Sequence, residues 1–154
     1  MKKNTAKLLI AAIICCGFIT NIYAQKKTIE IFGKAGNLTG SVVGGVGMKL
    51  EKDSLNNYVS VKGCYDNKNL FGCFEMLKPV TSKGFDGSES VLLKFDGYLD
   101  IGMEGSGFPK GTKARYIMWL LLTTNSVSGM YLIAKLPGYI ETEQTGILNL
   151  SYKK

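Results

Sequence analysis

Glycine divides this chain into short apolar runs, a pattern that is typical of β-strands separated by turns. Eighteen of the 19 glycines lie beyond residue 24 and make up about 14% of that part of the chain, against ~7% in an average protein. The runs between them are rich in Val, Ile, Leu, Tyr and Phe, which favour pleated strands. No window there combines a 3.6-residue apolar period with helix caps. The sequence therefore predicts an all-β fold.

The predicted strands are separated by turn residues that recur every ~8 to 14 residues. Ten strands are expected, at 28–32, 38–43, 46–51, 58–63, 70–77, 90–95, 98–102, 114–123, 129–135 and 147–152. Two of the intervening turns are predicted at Gly44-Gly45 and Asp96-Gly97. This spacing indicates a single antiparallel β-barrel or sandwich of about 8 to 10 strands.

The N-terminal residues have the composition of an export signal. Three lysines within the first seven residues precede an apolar stretch at 8–19, and the small residue Ala24 follows. The stretch is shorter than the ~20 residues that span a bilayer. We expect a signal peptide at 1–24, cleavage after Ala24, and one all-β domain at 25–154 without a membrane-spanning segment. The domain would be periplasmic or secreted, as in Gram-negative-type export.

Two cysteines beyond that segment, Cys64 and Cys73, flank a polar turn. In a hairpin with a two-residue turn at Lys68-Asn69, Cys64 lies directly opposite Cys73, close enough for a disulfide. A metal site and a redox pair are the alternatives, but the chain has no histidine and the spacing is not Cys-x-x-Cys. Because an oxidising compartment favours the bond, we predict a structural disulfide.

The composition argues against several chemistries. Without histidine, Ser-His-Asp and Cys-His sites are excluded, and no metal site or cofactor is predicted. Beyond residue 24 the 16 basic and 12 acidic residues are mixed along the chain, so nucleic acid is not expected as a partner. Four acidic residues lie close in sequence and leave a carboxylate-dependent hydrolase or a calcium site open. They are Asp86, Glu89, Asp96 and Asp100.

The loops and aromatic residues indicate a binding protein. The segments 78–90 and 102–113 are the longest stretches rich in Gly, Ser and Pro, and loops on a rigid frame commonly carry function. Tyr116, Trp119 and Tyr131 are the aromatic residues expected to line a ligand pocket. The leading hypothesis is an exported, non-catalytic protein that binds a small ligand or a protein at the barrel mouth.

One predicted strand supports a second hypothesis. Residues 117–122, Ile-Met-Trp-Leu-Leu-Leu, are apolar on both faces. Since one face belongs to the core, the other needs a covering loop, sheet or second subunit. The chain would then be a protein-interaction or inhibitor domain without a cavity, or a homo-oligomer. A deep apolar pocket beside Trp119 favours the ligand binder, whereas a solid core with an exposed apolar patch favours the interaction domain.

Three short motifs resemble the calycin group of small secreted barrels, of avidin or lipocalin type, and the avidins in particular. They are NLTGS at 37–41, similar to the avidin N-x-L-G-S, GCY at 63–65, similar to G-x-Y, and WLLLT at 119–123, similar to W-L-L. The resemblance implies a calycin-like barrel with ligand-contacting residues at Asn37, Ser41, Tyr65 and Trp119. Trp119 is the single tryptophan, and the last strand lacks the aspartate of that family, so biotin binding is not predicted.

Overall fold

The computed structural model describes residues 27–67, 70–84 and 89–153. The predicted signal peptide at 1–24 and the turn at Lys68-Asn69 lie outside the described residues. Among the described residues there are nine strands and no helix. The strands are β1 (Lys27–Asn37), β2 (Val42–Lys52), β3 (Tyr58–Asn67), β4 (Leu70–Leu77), β5 (Val80–Lys83), β6 (Val91–Asp100), β7 (Lys113–Leu122), β8 (Val127–Ile133) and β9 (Gln144–Tyr152).

All nine strands belong to one antiparallel sheet in the order β4-β3-β2-β1-β9-β8-β7-β6-β5. A further pairing between β4 and β6 closes eight of the strands into a barrel and leaves β5 as an extra strand at the edge. The all-β prediction is confirmed, and the barrel replaces the sandwich alternative. An eight-stranded antiparallel barrel is also compatible with a calycin-like fold.

The predicted hairpin between β3 and β4 is confirmed in its register. Cys64 pairs with Cys73, and the next pairs along the ladder bring the strands to Asn67 opposite Leu70. The two sulfur atoms lie 2.00 Å apart in a disulfide. This bond indicates an oxidising environment outside the cytoplasm.

Two predicted turns are wrong because their glycines serve close packing within a strand. Gly44 and Gly45 lie inside β2 and pair with β1 on one side and β3 on the other. A side chain on Gly44 would collide with the carbonyl oxygen of Asp66. Asp96 and Gly97 likewise lie inside β6, which continues without a break along β7. Gly44 therefore lets β2 approach β3 closely, and Gly97 leaves room for the Met76 side chain over β6.

The boundaries of two other predicted segments also change. The first part of the strand predicted at 38–43 is a turn, because the Asn37 side-chain oxygen accepts hydrogen bonds from the backbone N–H groups of Thr39 and Ser41. Such side-chain bonding to the backbone favours a turn over a strand. The loop predicted at 78–90 contains β5, which pairs with the beginning of β6.

Apolar side chains fill the barrel interior. Strand residues alternate between buried and exposed positions, as in β7, where Tyr116, Met118 and Leu120 are fully buried. The inward residues of the eight barrel strands join in one core cluster. A barrel of eight strands can be filled by its own side chains or can hold one small ligand. Here large inward side chains such as Tyr65 and Phe95 are fully buried, so side chains pack the interior.

Two loops cover one end of this core. The β6–β7 and β8–β9 loops bring Phe108 and Tyr139 together with ring centroids 5.9 Å apart. Beneath them Ile101 and Ile140 are buried. The loop predicted at 102–113 as part of an open mouth is thus part of this cover.

The barrel closes through a short contact between β4 and β6. The two strands pair at Cys73 with Asp100 and at Phe74 with Leu99. Beyond this contact Lys78 adopts a positive φ of 54° and turns the chain into β5. Between the β4–β6 pairing and the β5–β6 pairing, Met76 packs over Gly97, where an added Cβ would lie 2.6 Å from the Met76 Cγ. We call this part of the wall, residues 75–77 facing 96–98, the seam.

Candidate functional site

The three aromatic residues predicted to line a pocket do not share one surface. Tyr116 and Tyr131 point into the barrel and are buried, whereas Trp119 points outward and is half-buried. The positions implied by the avidin resemblance also diverge, because Tyr65 is inside and Asn37 caps its own turn. A ligand-binding role for these residues stays a prediction.

The buried tyrosines form a small polar cluster inside the core. The Tyr65 and Tyr131 hydroxyl oxygens lie 3.4 Å apart, and the Asn67 side-chain amide donates to the Tyr65 hydroxyl at 2.7 Å. The Tyr116 hydroxyl donates to the Met118 sulfur. Burial raises the pKa of Tyr116 and of Tyr131, so both stay neutral at any physiological pH. The cluster satisfies buried hydroxyl groups, which is a structural role.

A groove of about 1320 Å³ that opens to solvent is lined mainly by outward-facing residues of β1 to β4, β6 and the start of β7. Four inward-facing residues of the wall also contribute to its lining: Ile31, Met48, Phe74 and Met76. Its floor follows a row of directly paired, outward-facing residues across the sheet. The row consists of Phe32, Gly47, Cys64, Cys73, Asp100 and Lys113. Gly47 has no side chain and the cysteine side chains are short, so the middle of the row is lower than its ends. We call this feature the outer groove.

Large apolar side chains line the outer groove and are exposed to solvent. Phe32 is 52% exposed, Leu77 64% and Tyr98 61%. Leu77 and Tyr98 belong to the seam, and Phe32 lies across the disulfide from them. Apolar residues grouped in a concave surface are typical of a binding site. Sequence reasoning missed these residues because they come from strands far apart in the chain.

Glu30 joins two lysines at one side of the outer groove. Its carboxylate oxygens lie 2.7 Å from the Lys49 ammonium and 2.6 Å from the Lys153 ammonium. Hydrogen bonds from Lys153 and then Lys49 lower the pKa of Glu30 from 4.5 to about 2. Because the pKa is lower in the folded state, this group stabilises the fold above pH 4.5 and loses that effect as the pH falls through about 2.

We expect the Lys153→Ala variant to raise the pKa of Glu30 from about 2 toward 4.5, since it removes the main hydrogen-bond donor. Carbon-detected NMR titration of the glutamate carboxyl groups measures this directly. Lys62→Ala is the matched control, because Lys62 approaches Glu51 at 3.6 Å instead, and the Glu30 titration should not change. Titration of Glu30 near 4.5 in the unaltered protein would contradict the arrangement.

The charges of the outer groove change sign along its floor. The cluster around Glu30 has two lysines to one carboxylate, and Lys62 adds positive charge beside it. Toward β6, Glu75 and Asp100 outnumber Lys113. The groove is therefore positive over β1 to β3 and negative over β4 and β6.

Of the acidic residues considered for catalysis or calcium, the three that the structure describes do not converge. Asp96 accepts two hydrogen bonds from Arg115, at 3.2 and 2.9 Å, which lower its pKa. Asp100 is four residues further along the same strand, roughly 13 Å away, whereas glycosidase carboxyl groups lie about 5 to 9.5 Å apart. Glu89 accepts from Thr124, and Asp86 lies outside the described residues. The described part of the chain holds no group of three metal-ligating side chains.

Comparisons with known proteins give no family for this chain. Searches of family models, curated proteins and solved structures found no match. Separately, no helix in the described segments is long and apolar enough to cross a membrane.

A second outward-facing surface surrounds Trp119. It consists of apolar residues on four neighbouring strands, β6 to β9, and we call it the outer apolar patch. Its members are Leu92, Ile117, Trp119, Leu121, Met130, Leu132 and Ile147. The β7 members of the patch form the outward face of residues 117–122, the segment predicted to be apolar on both sides of its strand. Together with the filled interior, it matches the surface expected of an interaction domain.

Proposed function

We propose that this protein is an exported, non-catalytic binding protein that holds an extended polypeptide segment in the outer groove. The periplasm or the extracellular medium is its expected location, consistent with the disulfide. The observation that carries the proposal is the combination of a filled barrel interior with an exposed apolar groove on the outer face.

The size of the outer groove supports an extended ligand. Its volume of about 1320 Å³ exceeds the ~300 to 1,000 Å³ of most small-molecule pockets. The floor crosses six strands, which corresponds to roughly 24 Å along the sheet. About seven residues of extended chain cover that distance at ~3.3 Å per residue.

The apolar and charged residues of the outer groove indicate which side chains the bound segment should have. Phe32 at the β1 end and Leu77 and Tyr98 at the seam give the groove apolar contacts on both sides of the disulfide, which suit one or two large apolar side chains. Because the groove is positive over β1 to β3 and negative over β4 and β6, the favoured segment has an acidic end and a basic end. Charge complementarity of this kind fixes the register of a bound chain.

The proposal is tested with fluorescein-labelled peptides of about seven residues, each with a Leu-Phe centre. One set has acidic residues at one end and basic residues at the other, and two control sets have like charges at both ends. We expect the mixed-charge set to bind more tightly in fluorescence polarisation. Phe32→Ala and Leu77→Ala should each weaken binding by about tenfold.

Leu55→Ala is the matched control variant, since Leu55 is 79% exposed in the β2–β3 turn and does not line the groove. It should bind like the unaltered protein. Amide NMR shifts on peptide addition should centre on Gly47, Cys64 and Tyr98. Shifts confined to the β6–β7 and β8–β9 loops, or equal binding of all three peptide sets, would overturn the proposal.

A further inference from the structure

The outer apolar patch groups exposed and half-buried apolar side chains on one part of the barrel wall. Leu92, Leu121 and Met130 are 41%, 40% and 51% exposed. Trp119, Ile117, Leu132 and Ile147 are half-buried around them. These seven members are uncharged and lie outside the floor of the outer groove, and the charged residues Lys94 and Asp96 border them on β6. Apolar side chains grouped in this way make the patch a candidate interface.

The strand register arranges the patch in two adjacent rows across the sheet. One row runs Lys94, Trp119, Met130 and Ile147, and the other runs Asp96, Ile117, Leu132 and Thr145. Each row therefore begins with one charged residue on β6 and continues with apolar residues on β7 and β8. The two rows carry opposite charges at the same edge.

This arrangement is complementary to itself. A two-fold axis that lies across the strands, between the two rows, brings each row of one copy over the other row of a second copy. Trp119 then faces Ile117 of the second copy, and Lys94 faces Asp96. Within one copy the Lys94 ammonium lies over the Trp119 ring, 5.9 Å from the ring centroid. Arg115 donates a hydrogen bond to the Asp96 carboxylate and fixes its position. The charge pairs favour this orientation over a two-fold axis along the strands, which leaves both charges facing uncharged residues.

The patch is smaller than a complete interface. Four strands cover roughly 14 Å across the sheet and the rows from 92 to 96 cover roughly 13 Å along it, about 180 Å² in all, so the surrounding residues must contribute most of the buried area. Standard interfaces bury about 800 Å² per partner, with an apolar centre and a polar rim. Ser128, Asn149 and Arg115 surround the patch and provide polar rim groups.

We propose that the outer apolar patch binds the same patch of a second copy of this chain, giving a symmetric homodimer. The same axis places Leu92 and Leu121 of one copy over Tyr98 and Arg115 of the other. Since Asp96 and Tyr98 also line the outer groove, the dimer contact reaches the β6 side of the groove and leaves its β1 to β3 side outside. The inference does not depend on the function proposed for the groove.

Sedimentation velocity and native mass spectrometry of the disulfide-intact protein test the proposal. We expect a dimer for the unaltered protein and a monomer for Met130→Lys, which places a charge in the centre of the contact. Phe32→Lys is the matched control, because Phe32 is equally exposed but lies in the outer groove, and it should remain dimeric. Thermal melting followed by circular dichroism checks that each variant is folded.

A charge exchange tests the orientation of the two copies. Lys94→Glu alone (K94E) and Asp96→Lys alone (D96K) each place like charges opposite each other and should weaken the dimer at least about tenfold. An equimolar mixture of K94E and D96K restores opposite charges at both contacts and should form a heterodimer. Recovery in the mixture also shows that neither variant failed to fold.

Three results would overturn the proposal. The first is an unaltered protein that remains monomeric at the highest concentration reached. The second is a dimer that Met130→Lys does not weaken. The third is a monomer that binds phosphatidylcholine–phosphatidylglycerol vesicles through Trp119, detected by a blue shift of its fluorescence, which would assign the patch to a lipid surface instead.

Discussion

Replacing Phe95 with alanine lowers the free energy of unfolding by about 3 to 5 kcal/mol. Phe95 is 1% exposed and lies among the largest fully buried side chains of the barrel. Its neighbours belong to strands that are fixed by pairing on both sides, so they cannot move in to fill the space. The cost therefore includes both the lost burial and the cavity that remains. Equilibrium unfolding in guanidinium chloride, with the disulfide intact, measures this change.

Phe32→Ala is the matched control for this effect. The same atoms are removed, but Phe32 is 52% exposed on the outer face, so the loss should stay below about 1 kcal/mol. Similar losses for the two variants would mean that the interior is not filled, which would reopen the hypothesis of a ligand inside the barrel.

Replacing Gly146 with alanine should destabilise the fold by roughly 3 kcal/mol or more. Gly146 pairs with Tyr131 on β8, and an added Cβ would meet the Gly36 carbonyl oxygen and lie 2.7 Å from the Tyr131 ring. The ring cannot shift freely because it packs on Tyr65, with centroids 5.5 Å apart. The methyl group therefore forces either the backbone of β1 or the tyrosine cluster out of position.

Gly47→Ala is the matched control, because no heavy atom lies within 4 Å of a Cβ added at Gly47. Its effect should stay within about 0.5 kcal/mol. Thermal and guanidinium unfolding of both variants provide the comparison, and near-ultraviolet circular dichroism reports on the tyrosine cluster. A Gly146→Ala variant as stable as Gly47→Ala would contradict the close approach of β1, β8 and β9 at this point.

The fold class and the hairpin could be predicted from the sequence because both depend on local patterns. The cysteines and the polar turn between them define one register for β3 and β4, and β-forming residues dominate the other runs. The glycine pattern predicted turns wrongly at positions where glycine allows close packing inside a strand. Gly97 follows an aspartate, as in many tight turns, yet it remains in β6 because Met76 occupies the space its side chain would take.

The candidate site could not be predicted in the same way. Alternation along β7 places Tyr116 and Trp119 on opposite faces of the sheet, and which face is inward depends on how the barrel closes. The outer groove combines Phe32 on β1, Leu77 on β4 and Tyr98 on β6. No local pattern relates these residues, because the closure of β4 on β6 brings them together. One feature of the sequence did point to the outer face. Phe32 directly follows the inward-facing Ile31, so alternation along β1 places this aromatic side chain on the outside of the barrel.

The disulfide and the seam together give the barrel wall an unequal strength on the two sides of β4. On one side β4 pairs with β3 along its length and is covalently joined to it at Cys64. On the other side its pairing with β6 is short. Partial unfolding should therefore start where β4 meets β6, and the cylinder should unroll into a curved ribbon from which β4 cannot detach. The same contact should form last when the chain folds, so ring closure completes the native state.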